Sequence, residues 1–352
     1  RLAYTGGSVN TSYINDPRWT QPGYGDLMTI DWQDEVFRLA PKQNYTLSVS
    51  NSTDQSSYRV SLGYVDQKGI AINTSYKRLN LRANMQTTIF NRITLGVNLA
   101  PSMSWNNGGK ADAVAVLSMV PFAEPEAGIY TGAEPYSRYS WVATLERKSS
   151  MTEDARINTS AFIRAELFDG LRAEVTGSYN FRSTQARSFL PSSISNRWNT
   201  GEGYYATANR TDGRNHSYLF QTLLNYDNSF GKHTVGAMAG FSLEARTSYS
   251  SRLAATHFPD NLVESFDMTD VDLTTAYATI GYPGRMASFF GRLQYEYDNR
   301  YLMTASIRRD GSSKFGSKNR WGFFPSVGGG WMISNEPFFQ PLSSKITKLK
   351  LR

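Results

Sequence analysis

Apolar and polar residues alternate singly along most of this chain, and the alternation predicts strands. In the clearest run, Leu79, Leu81, Ala83, Met85 and Ile89 fall on one face, with Arg78, Asn80, Arg82, Asn84 and Gln86 on the other. A period of two belongs to extended backbone, whose successive side chains point to opposite faces. The same period runs through residues 45–49, 58–64, 93–99, 157–167, 171–179, 218–226, 235–243, 289–297 and 301–307. Roughly twelve strands of about 10–15 residues are expected, longer than the roughly 5–6 usual in soluble sheets.

Two properties favour a membrane barrel wall over a soluble sandwich. Around the turn Asp298-Asn299-Arg300 the apolar face carries Tyr295, Tyr297 and Tyr301, while Arg292, Glu296 and Arg308 stand on the other face within the strands. Lipid on one side and water on the other produce that pattern. Connection lengths also alternate. Short turns fall at 51–56, 90–91, Asp169-Gly170, Phe230-Gly231-Lys232 and 298–300, and long loops are expected near 106–152, 183–214 and 248–285. Asp-Gly is a strong hairpin signal. Short turns at one end and long loops at the other characterise the periplasmic and extracellular ends of a barrel. The apolar stretch 111–120 breaks the alternation and reads equally as a short helix or a buried loop segment.

Composition narrows this further. No run of about 18 apolar residues occurs, so no transmembrane helix is expected; barrel strands need only about ten alternating residues. The 21 tyrosines and 19 phenylalanines suit interfacial girdles, and equally an aromatic-rich secreted β protein. Absence of cysteine excludes a disulfide framework and a cysteine metal site. The net charge of +7 is spread along strands and loops, without the basic stripe of a nucleic-acid binder. Anionic lipopolysaccharide around a barrel accounts for the excess as well.

Longer motifs carry a resemblance. The pieces Phe290-Gly291-Arg292-Leu293, Asp298-Asn299-Arg300-Tyr301, Arg309-Asp310-Gly311-Ser312-Ser313-Lys314-Phe315-Gly316, Phe324-Pro325-Ser326-Val327 and Leu349-Lys350-Leu351-Arg352 follow in order. An earlier block holds Asp31-Trp32-Gln33-Asp34-Glu35-Val36-Phe37-Arg38, then Tyr58-Arg59-Val60-Ser61-Leu62-Gly63-Tyr64, Gly69-Ile70 and Tyr76-Lys77-Arg78-Leu79-Asn80-Leu81-Arg82. Together they resemble the SusC/RagA-type TonB-dependent outer-membrane transporters of Bacteroidetes. The resemblance implies an all-β fold, about half of an antiparallel barrel of roughly 22 strands with a plugged lumen. It places the protein in the outer membrane, with residues 1–42 leading into the barrel and 43–352 forming part of it. The plug and the TonB-contacting segment are expected outside these 352 residues, which read as an internal fragment. It further implies import of an oligosaccharide or peptide, with TonB and a SusD-like surface lipoprotein as partners and no cofactor. A siderophore-type receptor, a passive porin and a secreted β-sandwich lectin stay open as alternatives.

No catalytic set emerges, and the chain is not read as an enzyme. His216, His233 and His257 have no second ligand at metal spacing and read as structural. Glu124 and Glu126 lie two apart in a loop, which does not fix a hydrolase carboxylate pair. Asp310-Gly311-Ser312-Ser313 lacks the features of phosphate and calcium loops and reads as a tight loop at a strand's outer end. Gly328-Gly329-Gly330 reads as strand glycines that permit bending or leave room beside a bulky neighbour. Candidate contact residues are the loop aromatics Trp105, Tyr130, Tyr136, Tyr139, Trp141, Trp198, Tyr204 and Tyr205, whose rings stack on sugars, anchor a partner or fold the loops together. Arg78, Arg82, Arg292, Glu296 and Arg308 are expected to face the lumen. The arginines among them line a substrate path or, as the favoured reading, pair with the plug.

Overall fold

The computed structural model describes residues 32–108, 145–192, 203–259, 272–342 and 344–352, the short stretches 4–5, 8–9, 28–29, 122–123 and 198–199, and residues 261 and 266. One antiparallel sheet of 13 strands dominates it. In chain order these are β1 (Lys42–Ser52), β2 (Ser56–Lys68), β3 (Ser75–Ile89), β4 (Ile93–Asn107), β5 (Ser149–Phe168), β6 (Leu171–Leu190), β7 (Thr207–Phe230), β8 (His233–Thr256), β9 (Asp272–Ile280), β10 (Gly284–Tyr297), β11 (Tyr301–Ser312), β12 (Trp321–Met332) and β13 (Lys350–Leu351). Sequence neighbours pair, with one exception. β9 pairs with Tyr249–Thr256 of β8, and β10 takes over from Arg246 to His233. They are two halves of one bent strand, broken at Gly281-Tyr282-Pro283, where proline supplies no N–H to a ladder.

The five short turns expected all connect neighbouring strands at one end of the sheet. Asp298 and Asn299 sit at φ 52° and 53°, and Phe90 and Asn91 at 51° and 57°. Such left-handed turns match the twist of the strands they join.

Strands run longer than the alternation predicts. β7 and β8 have 24 residues each, and β5 and β6 have 20. Within 183–214, β6 continues to Leu190 and β7 begins at Thr207; within 248–285, β8 reaches Thr256 and β9 adds nine residues. Here Ser183, Thr184 and Gln185 lie opposite Arg214, Gly213 and Asp212. Away from lipid nothing demands an apolar face, so the ladder persists where the hydrophobic signal stops. The Asp310-Gly311-Ser312 loop is likewise corrected. These residues end β11, paired to β10, and the connection begins at Ser313. The stretch 111–120 and the Glu124/Glu126 pair lie outside the described residues.

Register carries the two faces across the sheet. Met85, Val97, Ala161, Gly177, Phe220, Leu243 and Ala287 stand in one line. The next line holds Ile163, Val175, Thr222, Phe241, Phe289 and Phe323, with Arg309 between the last two. These side chains cover no core: Ile163, Phe289 and Phe323 are 54%, 51% and 58% exposed. The buried apolar cluster of Phe189, Ala206, Ala208, Ala255 and Phe258 sits instead at the long-connection end. A sheet with a continuous exposed apolar face, and its backbone groups paired in ladders, is stable against hydrocarbon.

Aromatic rims bound the apolar band. At the short-turn end Tyr301 stacks on Tyr297 and on Trp331, each with ring centroids 6.4 Å apart. Towards the other end Tyr179, Phe181, His216 and Tyr218 form a second cluster. Tyr218 and Phe230 mark the two rims on β7. At about 3.3 Å per residue and a tilt of about 45°, their separation along the membrane normal is about 28 Å, close to the roughly 25 Å apolar band of outer-membrane barrels.

Glycine makes room on the polar face. A Cβ on Gly240 would come within 2.3 Å of the Phe290 ring and 2.9 Å of Leu223. Gly240→Ala is therefore expected to push Phe290 off its position beside Arg308 and to destabilise the barrel by about 1–3 kcal/mol, read as an earlier urea midpoint for the whole protein in detergent.

Candidate lumenal site and the short-turn latch

Towards the long-connection end, β5–β8 and β10 enclose a recess of about 780 Å³, opening mainly on the polar face. Asn158, Asn180 and Asn215 line it with Arg156, Arg182 and Arg246. Alternation puts them there, since Arg156, Arg182 and Asn215 are consecutive partners across three strands. Two neighbouring guanidiniums repel unless a counter-charge stands between them. Asp154 supplies it, accepting from Arg156 Nε, from Arg182 Nε at 2.6 Å and from Thr184 Oγ1 at 3.0 Å. The Asp154 side chain is only 11% exposed, whereas both arginines remain about half exposed. The carboxylate is thus spent inside the wall, and the guanidiniums are oriented and offered to the recess. Glu244 holds Arg246 in the same manner.

Further ion pairs lace the polar face. Arg164 meets Glu174 and Arg172 meets Asp227, each at 2.8 Å. Arg308 donates to Asp310 at 2.8 Å and to the buried Ser288 at 3.3 Å, beside the Phe290 ring. Arg78, Arg82 and Arg292 also stand on this face, opposite Ser104, Ser61 and Ser306, and have no ion pair among the described residues. Glu296 lies between Thr234 and Leu302.

Of the aromatics singled out, Trp105 is not in a loop. It lies within β4, opposite Lys77 and Glu153, on the side of the apolar rows. Tyr205 stacks on His257 with ring centroids 3.9 Å apart, a contact that ties the base of one connection to another. The backbones of Trp198 and Tyr204 pair with each other, while their side chains, and the whole of Tyr130, Tyr136, Tyr139 and Trp141, lie outside the described residues.

The motif residues explain themselves at the short-turn end. After β12, 3-10 turns at Ile333–Asn335 and Pro337–Leu342 bring buried Glu336 against the barrel. Glu336 accepts from Tyr301 Oη at 2.8 Å, Trp331 Nε1 at 2.9 Å and Arg300 Nη1 at 3.2 Å. Sequence reading missed this carboxylate, because a lone acid after a strand gives no periodic signal. Elsewhere, Phe324, Pro325 and Ser326 pair with Arg308, Ile307 and Ser306. Phe315 is exposed in the β11–β12 connection. In the earlier block Asp31 is outside the described residues; the short helix α1 (Trp32–Val36) buries Val36, and Arg38 donates to the Gly69 and Thr74 carbonyls.

Donation from Trp331 and Tyr301, with the charge of Arg300, holds the Glu336 carboxyl below its ordinary value near 4.5. A depressed carboxyl stabilises the folded form above the unfolded value, and that contribution disappears as pH falls through the lowered one. As pH falls below the ordinary carboxyl value of 4.5, Trp331 fluorescence should therefore change as the latch loosens. In Glu336→Gln the latch should already be weak at neutral pH and the acid-dependent step absent.

No protein-family model matches the chain. It is 28% identical over 338 residues to TonB-dependent receptor P3 of Formosa agariphila, covering 92% of this chain and 33% of that receptor. Over 381 residues it is 27% identical to TonB-dependent receptor SusC of Bacteroides thetaiotaomicron, covering 98% of this chain and 36% of SusC. Along most of its length the chain is similar to TonB-dependent receptors of the SusC type. Its fold agrees with the RagAB peptide transporter at a TM-score of 0.72 and 23% identity, over 90% of this chain and 37% of that one. The chain spans about a third of the length of the curated relatives it matches. Outer-membrane residence accounts for the exposed apolar rows and both aromatic rims, and it assigns the short-turn end to the periplasm.

Proposed function

We propose that the receptor to which this segment belongs imports an oligosaccharide or a peptide across the outer membrane in a TonB-dependent step. A SusD-like lipoprotein closes over its extracellular mouth, and TonB acts through a plug segment outside these 352 residues. The observation that carries this reading is the Asp154-braced pair Arg156 and Arg182 beside three asparagines, at the extracellular end of the polar face. Guanidinium forks and carboxamides present fixed donors to hydroxyl, carbonyl and carboxylate oxygens, the groups that sugars and peptides display. The sequence likeness to TonB-dependent receptors supports the energised step. In this reading the polar face lines the path, and Arg78, Arg82 and Arg292 hold acidic groups of the plug. The connection aromatics Tyr130, Tyr136, Tyr139, Trp141, Trp198 and Tyr204 contact ligand or lipoprotein. The work is transport, with binding and release replacing covalent chemistry.

The test uses the native host. Deletion of the receptor should abolish uptake of one labelled glycan or peptide pool, and collapse of the inner-membrane proton gradient should do the same in wild-type cells. Mild-detergent purification should bring a surface lipoprotein with the receptor. Uptake that survives loss of the gradient would point to a passive pore.

A further inference from the structure

The apolar face is indented where β5–β8 meet β10–β12. Side-chain height is lost at Ala161, Gly177, Ala287 and Gly311, and a groove of about 810 Å³ lies between Tyr218, Phe220 and Trp321. A Cβ on Gly177 would meet nothing within 4 Å. The groove is thus open at Gly177, while the Trp321 ring lies over Gly311 and closes its far side.

Its extracellular rim is basic. Arg285 and Arg320 line it, and Arg309 stands two rows below Arg285 with its guanidinium 5.0 Å from the Trp321 ring centre. Register sets Arg285 opposite Ala245, in the row of Tyr179 and Tyr218, which is the extracellular aromatic rim and therefore headgroup level. The one carboxylate that lines the groove, Glu244, is spent on Arg246 on the polar face and pairs with none of these charges among the described residues. The residues sharing this face nearby are Phe241, Leu243, Ala245, Ala287, Phe289, Gly311, Ser313 and Phe323, and none is acidic. None of the three arginines has an ion pair among the described residues. On the polar face the sequence pairs its arginines repeatedly with Asp or Glu; here it leaves three unpaired beside an apolar trough.

We propose that this groove is a binding site for a phosphate-bearing lipid of the outer leaflet. Its acyl chain lies along Gly177 and Ala161 against Phe220. Its phosphate is held by Arg285, Arg309 and Arg320, through charge-assisted hydrogen bonds that a neutral headgroup does not supply. A free anion would need no apolar trough, and a neutral lipid would need no guanidiniums. The site rests on outer-membrane residence alone, so a failed uptake assay leaves it intact.

The experiment places the whole receptor in neutral phosphatidylcholine nanodiscs containing equal traces of monophosphorylated lipid A and its dephosphorylated counterpart. Native mass spectrometry then counts what each barrel retains. Wild type should prefer the phosphorylated lipid at least about tenfold. R285Q/R309Q/R320Q should lose most of that preference, whereas R292Q, on the opposite face of the same strand, should keep it. Gly177→Leu, which fills the trough, should lower retention of both lipids. Equal retention of the two lipids by wild type, an unchanged preference in the triple variant, or displacement of bound lipid by inorganic phosphate alone would overturn the proposal.

Discussion

Leu224→Arg should strongly impair assembly of the barrel in the membrane, while Asn225→Arg one residue along should be tolerated. Leu224 shares its row with Ala165, Ala173, Ala239, Gly291 and Ile307, between the two aromatic rims. It is 42% exposed, so its surroundings in the cell are hydrocarbon rather than protein. A guanidinium near the bilayer midplane costs about 2–4 kcal/mol and loses most of that penalty only at the interfaces. Asn225 faces the other way, between Arg172 and Met238, where a long charged side chain reaches water. Refolding the whole receptor into vesicles, with the folded fraction read by its altered gel mobility, checks the pair. The leucine variant should lose a large part of its stability, and the asparagine variant should stay within about 0.5 kcal/mol of wild type.

Arg156→Gln and Arg182→Gln should reduce uptake without changing the amount of folded receptor. Each guanidinium is fixed by Asp154 and half exposed at the recess. A hydrogen bond from a charged donor contributes about 1.5–3 kcal/mol, so each loss weakens ligand binding by about 10- to 100-fold. The single variants are the cleaner test, since each leaves Asp154 one guanidinium partner, whereas the double variant strands a nearly buried carboxylate in the wall. Asp154→Asn should behave differently. It removes the brace while keeping both cations, so the arginines splay and affinity falls, together with the order of the strand ends above them. Isothermal titration of the whole receptor with the transported ligand separates the cases, because the arginine variants change affinity alone.

The sequence made the strands and their two faces legible because lipid and water impose a strict period of two. The five short turns were equally readable, since four carry Gly, Asn or Asp at a left-handed position and in the fifth the Thr53 hydroxyl accepts from the Ser56 N–H. What escaped was whatever lipid does not enforce. β6, β7 and β8 extend past the membrane through residues such as Ser183, Gln185 and Ser250, whose pairing is purely backbone. Asp310 and Gly311 looked like a turn because their composition is that of a turn, yet pairing with Ser288 and Ala287 keeps them in the strand. Gly328 has no neighbour within 4 Å of a built Cβ, so it is Gly240, unremarked in the sequence, that makes room for a ring. The recess was half legible. Arg78, Arg82 and Arg308 announced a charged face, but the meeting of Asp154 with Arg182 joins residues 28 apart and depends on β5–β6 register.

The most direct test of the central claim uses the absence of cysteine in these 352 residues. Single cysteines at Phe241 and Ser242, adjacent on β8, would carry a small fluorophore in the whole receptor reconstituted in vesicles. The account predicts quenching of the Phe241 position by brominated lipid and not by aqueous iodide, with the opposite response at Ser242. Iodide quenching at both positions, with no effect of brominated lipid, would contradict a barrel wall and return the chain to the soluble β proteins.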